Sequence, residues 1–180
     1  MLIIGIALFA VLARPVQAEG TTVAVSSAHP VEASGAGSVK DDRAMRLKAF
    51  LARYNSPMQN EADHFVAEAD RLDLDWKLVA AIAGVESTFG NHVPSNSYNG
   101  WGWGIFTGAS DGIHFASWHA GITEVSEGLK YNYIDRGATS IDQIGHIYAA
   151  SPAWSAHVKF FMQKIDEFEP MGVEHLAVTI

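Results

Sequence analysis

From Asp41 onward the apolar positions keep helical time. Ala44, Leu47, Phe50, Leu51 and Tyr54 recur at three- and four-residue steps, which predicts an amphipathic helix that Asn55-Ser56-Pro57 brings to an end. Ala62, Phe65, Val66, Ala69 and Leu72 predict a second, with Asn60 or Glu61 near its start. Between Trp76 and Phe89 the residues are apolar or small nearly all round, the pattern of a helix buried on most sides, and either Asp73 or Asp75 can cap it. The text then changes to Gly, Asn, Ser and Trp from Gly90 to Gly112, which suits a structured loop or a small hairpin. Helical spacing returns in Trp118, Ile122, Val125, Leu129 and Tyr133, stopping near Gly137. It returns again in Ile141, Ile144, Ile147 and Tyr148, and in a last helix from about Pro152 that carries Trp154, Val158, Phe161, Met162, Ile165 and Phe168. The expected fold is mainly all-α: five or six helices around one buried helix, with an aromatic-rich excursion following it.

Ahead of this periodic region, Leu2 to Leu12 is an uninterrupted apolar run followed by Arg14, Pro15 and the small-residue site Val16-Gln17-Ala18. Residues 1–18 therefore read as a secretory signal peptide, the run being shorter than the roughly 20 apolar residues a bilayer span needs. Residues 19–40, rich in Ala, Ser, Gly and Val without period, read as a flexible linker. The folded domain is expected over 41–169 and a motif-free tail over 170–180, with no stable membrane span once the leader is cleaved. Such a chain is secreted or held in the cell envelope. Its 180 residues, 48% of them hydrophobic, are enough for one packed domain, read here as a monomer. A net charge of −8 and the lack of a Lys/Arg-rich run argue against nucleic acid or anionic lipid as partner. The absence of cysteine excludes both disulfides and thiolate metal sites.

One side chain conflicts with the pattern around it. Glu86 follows Ile82 by four residues and Val79 by seven, so a helix lays its carboxyl along an apolar stripe. Burial without a cation favours the protonated form, and a carboxylic acid that keeps its proton near neutral pH is what general-acid chemistry requires. The loop that follows, Asn96-Ser97-Tyr98-Asn99-Gly100-Trp101-Gly102-Trp103-Gly104, interleaves aromatics with glycines. Rigid amphipathic rings can stack on the apolar faces of sugars while amides and hydroxyls bond the rim, and glycines let the backbone come close. Acid and platform would be neighbours, with Ser87, Tyr98, Asn99, Trp101 and Trp103 as the expected substrate contacts.

Glu86-Ser87-Thr88-Phe89-Gly90, with Leu78-Val79-Ala80-Ala81-Ile82 before it, resembles the catalytic-glutamate helix of the lysozyme-like superfamily, in lytic transglycosylases and in bacterial cell-wall glucosaminidases alike. Asn99-Gly100-Trp101-Gly102-Trp103-Gly104-Ile105, Phe115-Ala116-Ser117-Trp118, Gly121-Ile122, Ile147-Tyr148-Ala149-Ala150 and Trp154 to Val158 are similar in order and spacing to the glucosaminidase branch (mannosyl-glycoprotein endo-β-N-acetylglucosaminidase-like). The resemblance covers roughly residues 55 to 166. It implies a lysozyme-like helical domain whose groove binds a β-1,4-linked N-acetylated glycan, peptidoglycan strands being the partner. It also implies that Glu86 is the general acid and that Tyr148 is the tyrosine facing the site from a later helix, with no cofactor. The chain departs from the transglycosylase pattern where Gly104-Ile105-Phe106-Thr107 replaces the usual Gly-Leu-Met-Gln, and where Tyr148-Ala149-Ala150-Ser151 stands in place of Tyr-Asn-Ala-Gly.

Glycoside hydrolysis commonly uses a second carboxylate, and Asp111, Glu124 and Glu127 are the candidates, none of them singled out by spacing. A substrate acetamide can serve instead. Glu124 falls off the apolar face of its helix, as a solvated charge does. The eight histidines form no ligand motif, so His114 and His119 read as surface or hydrogen-bonded residues and no metal is expected. No phosphate loop, dinucleotide fingerprint or Gly-x-Ser-x-Gly is present. Three readings remain: an endo-β-N-acetylglucosaminidase of the bacterial wall, a lytic transglycosylase giving anhydro products, and a glycan-binding module without catalysis.

Overall fold

A computed structural model describes residues 41–104 and 112–170. Residues 1–40, expected to be leader and linker, Asp111 with residues 105–110, and residues 171–180 lie outside the described residues. Six α-helices make up the described chain: α1 Arg43–Arg53, α2 Ala62–Leu72, α3 Leu78–Ser87, α4 Trp118–Asn132, α5 Ile141–Tyr148 and α6 Trp154–Asp166. Short 3-10 turns stand at Gln59–Glu61 and Ile134–Arg136. No strand occurs among the described residues, and the described part of the aromatic excursion, residues 90–104, is loop and turn.

The helices bury the faces that the spacing predicts. Leu47, Phe50 and Leu51 of α1 and Phe65, Val66, Ala69 and Leu72 of α2 are in the core, as are Ile122, Val125 and Leu129 of α4 and Val158 and Ile165 of α6. In α5 the face is narrower, because this eight-residue helix packs chiefly on α6: Ile144 is buried but Ile147 is 58% exposed. Helix α3 is the central one, with Leu78 through Gly84 buried and contacts to both α6 and α4.

Helix ends follow local chemistry. Ser117 accepts the Ala120 N–H at 3.1 Å to start α4, and Ser140 with Gln143 forms a reciprocal capping box on α5. Of the two aspartates expected before α3, Asp73 instead ends α2 in a left-handed conformation (φ 54°), while Asp75 accepts the Lys77 N–H at 3.0 Å just ahead of α3. Helix α3 is shorter than its apolar text, which runs to Phe89, because Thr88, Phe89 and Gly90 all take positive φ (52°, 58° and 83°). The Phe89 N–H closes this turn on Ala83 O at 2.9 Å. The Phe89 ring then folds back over Gly84, where a Cβ would lie 2.6 Å from its Cζ. Only glycine at 84 leaves room for that return, and the reversal throws the chain from α3 into the loop.

Candidate active site

Glu86 occupies the last turn of α3. The apolar stripe expected to bury it consists of Val79 and Ile82, both in the core, but the stripe ends before Glu86, whose residue is exposed. The expectation of a carboxyl buried along this stripe is therefore corrected in part: the side chain leaves the core as the helix runs out and keeps access to water. Its carboxyl is still crowded by protein on the inner side. Loss of hydration is the largest influence on it and raises its pKa above the ordinary 4.5, opposed by one hydrogen bond from Trp154. That bond runs from indole Nε1–H to Oε1 at 2.6 Å. No cation among the described residues enters the balance.

Trp154, the first residue of α6, is 4% exposed. Its ring lies 4.8 Å from that of Tyr148 at an interplanar angle of 24°. Tyr148, at the end of α5, donates its hydroxyl proton to Trp101 O at 2.6 Å. Burial pushes its pKa well above 10, and the charges of Glu86 and Tyr133 push it further in the same direction, so the phenol is neutral. Tyr148 and Glu86, named from the sequence, are thus brought into one corner. Trp103 joins them, with its ring centroid 5.8 Å from Tyr148 and 6.1 Å from Tyr133. It lies against Gly128 of α4, where there is no room for a Cβ.

The other expected contacts have different work. Trp101 is fully buried and its Nε1–H donates to Val79 O at 2.9 Å, so its ring is core and has no face to offer a sugar. Ser87 is 4% exposed: its hydroxyl donates to Gly100 O at 2.7 Å and accepts the Gly90 N–H at 2.8 Å, which ties the loop to α3. Asn99 is 6% exposed, and its amide is consumed by the loop itself. Nδ2 donates to Trp103 O and Ile113 O, and Oδ1 accepts from the backbone of Trp101 and Trp103. These three are corrected from substrate contacts to the frame that holds the loop, since buried polar atoms must be satisfied within the protein. Tyr98 is half-buried, with its ring edge-on to Trp118 at 5.5 Å.

Of the candidate second carboxylates, Glu127 is engaged by Arg71 at 2.8 Å and Glu124 is exposed on α4. His114 is exposed, and His119 stacks on His64 with ring centroids 3.4 Å apart. No group of three potential metal ligands gathers among the described residues. Two hollows of about 460 and 350 Å³ indent the surface, the first beside Phe50, Arg53 and Phe168 and the second beside Gly145, His146 and Ser155, and Glu86 lines neither.

The residue missed from the sequence as part of this site is Trp154. A buried tryptophan needs a partner for its indole N–H, which is a signal in itself, but nothing in the local text says that the partner is a glutamate on another helix. Among known proteins, no family model matches the chain, and no curated protein matches it either.

Proposed function

We propose that the chain is an exported peptidoglycan hydrolase with a lysozyme-like helical domain, cleaving β-1,4 glycosidic bonds of the N-acetylated glycan in the manner of an endo-β-N-acetylglucosaminidase. One observation carries this reading: Glu86 is a solvent-accessible carboxyl raised in pKa by dehydration, partnered among the described residues by a neutral indole and by no cation. Such a group holds its proton to higher pH than an ordinary glutamate does, and it can meet a substrate. The resemblance of its flanking residues to the catalytic-glutamate helix supports the same role, and the apolar run from Leu2 to Leu12 supports export.

In this reading Glu86 gives its proton to the bridging oxygen as the glycosidic bond breaks, the bond pair going to that oxygen while positive charge spreads over the anomeric carbon and ring oxygen. The substrate acetamide or water then takes the carbon. The half-buried Trp103 and Tyr98 are the rings from which a sugar face could be engaged, and Tyr148 keeps the inner side of the carboxyl dry. Digestion of purified peptidoglycan followed by mass spectrometry of the soluble fragments tests the proposal: products that gain water at a glucosaminidic bond are expected, and no released sugar overturns it.

A lytic transglycosylase reading is favoured by one point, that among the described residues no second carboxylate figures among the influences on Glu86, so a single group could serve as acid and then base. It requires anhydro-ended fragments without the gain of water. A glycan-binding module would retain peptidoglycan and release nothing.

A further inference from the structure

Trp154 has no established duty beyond packing, yet it makes the one hydrogen bond that Glu86 receives among the described residues. The indole is held on several sides. Its ring is stacked on Tyr148, it is 4% exposed, and a Cβ at Gly145 of α5 would sit 3.0 Å from its Cε3. Gly145 thus sets how closely α5 and α6 approach, and with it where the indole points. The N–H is therefore delivered to Oε1 by a ring with little freedom to turn.

An indole N–H only donates. In a protonated carboxyl the carbonyl oxygen is the better acceptor and the hydroxyl oxygen the poorer, so a donor fixed on Oε1 makes Oε1 the carbonyl and leaves the proton on Oε2. When that proton departs, the same N–H bonds a carboxylate, and such a charge-assisted bond is stronger than its neutral counterpart. We infer that Trp154 is the positioning residue of the proposed acid: its N–H orients the Glu86 carboxyl, confines the transferable proton to Oε2 and stabilises the carboxylate that remains after transfer.

The inference rests on the glycosidase reading for its catalytic meaning, but its geometry can be tested without turnover. In the transfer itself the Oε2–H bond breaks, the proton forms a new O–H bond on the leaving oxygen, and Glu86 becomes a carboxylate bonded through Oε1 to Trp154. Among the described residues the groups facing Glu86 are Trp154 of α6 and, through its charge, Tyr148 of α5, with Tyr133 beside Tyr148. Neither tyrosine ionises near neutral pH, so one transition should dominate.

The experiment is NMR on the full chain with 13C-labelled glutamate and 15N-labelled tryptophan. In the wild type the Trp154 indole N–H and the Glu86 carboxyl should titrate with one shared midpoint, and the indole should cease to titrate in Glu86→Gln. In Trp154→Phe, which keeps an aromatic ring and removes the donor, the Glu86 midpoint should move to higher pH. The alkaline limb of kcat should move with it, and kcat should fall by about tenfold with KM little changed. Incorporation of benzothienylalanine at 154, which has the shape of indole without the N–H, gives the same reading should the phenylalanine variant not fold. An unmoved or lowered midpoint in a folded variant overturns the role of Trp154. A shared titration in a wild-type protein that releases no sugar supports the coupling while overturning the glycosidase reading on which its catalytic meaning rests.

Discussion

Glu68 of α2 is only 7% exposed, yet Arg71 bonds it through Nε at 3.1 Å and Nη2 at 2.6 Å and holds its pKa below the ordinary 4.5. Arg71 also reaches Glu127 at 2.8 Å, so α2 and α4 are joined by a guanidinium between two carboxylates. Glu86 of α3 is the more exposed of the two glutamates, and its pKa moves the opposite way. Whole-residue exposure would have ordered them in reverse, although the protein packed around the Glu86 carboxyl dehydrates it strongly. The partner decides instead: a guanidinium stabilises only the ionised form, whereas a neutral indole beside neutral tyrosines compensates dehydration only in part. A carboxylate kept ionised serves as a structural tie, and one kept close to its proton can transfer it.

The largest effect expected on this contrast is Glu86→Gln, which preserves shape and removes the proton. Release of soluble fragments from peptidoglycan should fall by about 10²- to 10⁴-fold. In the wild type the rate should decline as pH rises through the raised Glu86 pKa, since the deprotonated form has nothing to donate.

Trp101 and Trp103, two residues apart, sharpen the same point for aromatic groups. Trp101→Ala should cost about 3–5 kcal/mol in urea unfolding, because it empties a fully buried site and removes the indole bond to Val79 O. Trp103→Ala should cost less stability and instead weaken glycan binding by about 1 kcal/mol or more, read by isothermal titration with soluble peptidoglycan fragments.

Arg71→Met leaves Glu68 buried without its cation. Glu68 has a lowered folded pKa, so its contribution to stability is present above 4.5 and is lost as pH falls through the folded value. The melting temperature of Arg71→Met should therefore lie below that of the wild type at pH 7, and the gap should close at the acid end.

The smallest effect has the opposite sign. Glu86 has a raised folded pKa, so the folded chain binds the extra proton between 4.5 and that value, and stability is lost as pH rises through this window. Glu86→Gln should accordingly melt higher than the wild type at pH 8 and equal to it at pH 4. A glutamine variant less stable than the wild type at both pH values would make Glu86 a structural tie like Glu68 and erase the contrast.

Much of the helical framework was readable because periodicity is a local property. The stripes Leu47, Phe50, Leu51 and Ile122, Val125, Leu129 each point one way whatever surrounds them. The end of α3 was not readable, since the left-handed turn of Thr88 and Phe89 depends on the space that Gly84 leaves for the Phe89 ring. Nor were the fates of the loop residues. Trp101 and Trp103 look equivalent in a glycine-spaced run, but one finds Val79 O and the other finds the bare face of Gly128, partners distant in the chain. Asn99 looked like a ligand because polar side chains in a loop usually face water, and here the loop folds inward around it; Ser87, at the end of α3, is buried by the same loop.

By itself the sequence determined that the chain is mainly helical, that its central helix is apolar almost throughout, and that this helix closes on a lone glutamate beside an aromatic loop. Those properties follow from side-chain spacing along one backbone, where neighbours in the text are neighbours in space. Only the tertiary structure decided which tryptophan is core, which polar groups are frame, and that the donor to Glu86 is Trp154. A hydrogen bond and a dehydrated carboxyl are set by distances between helices, and those distances arise when the small residues at 84, 128 and 145 let the helices and rings close on one another.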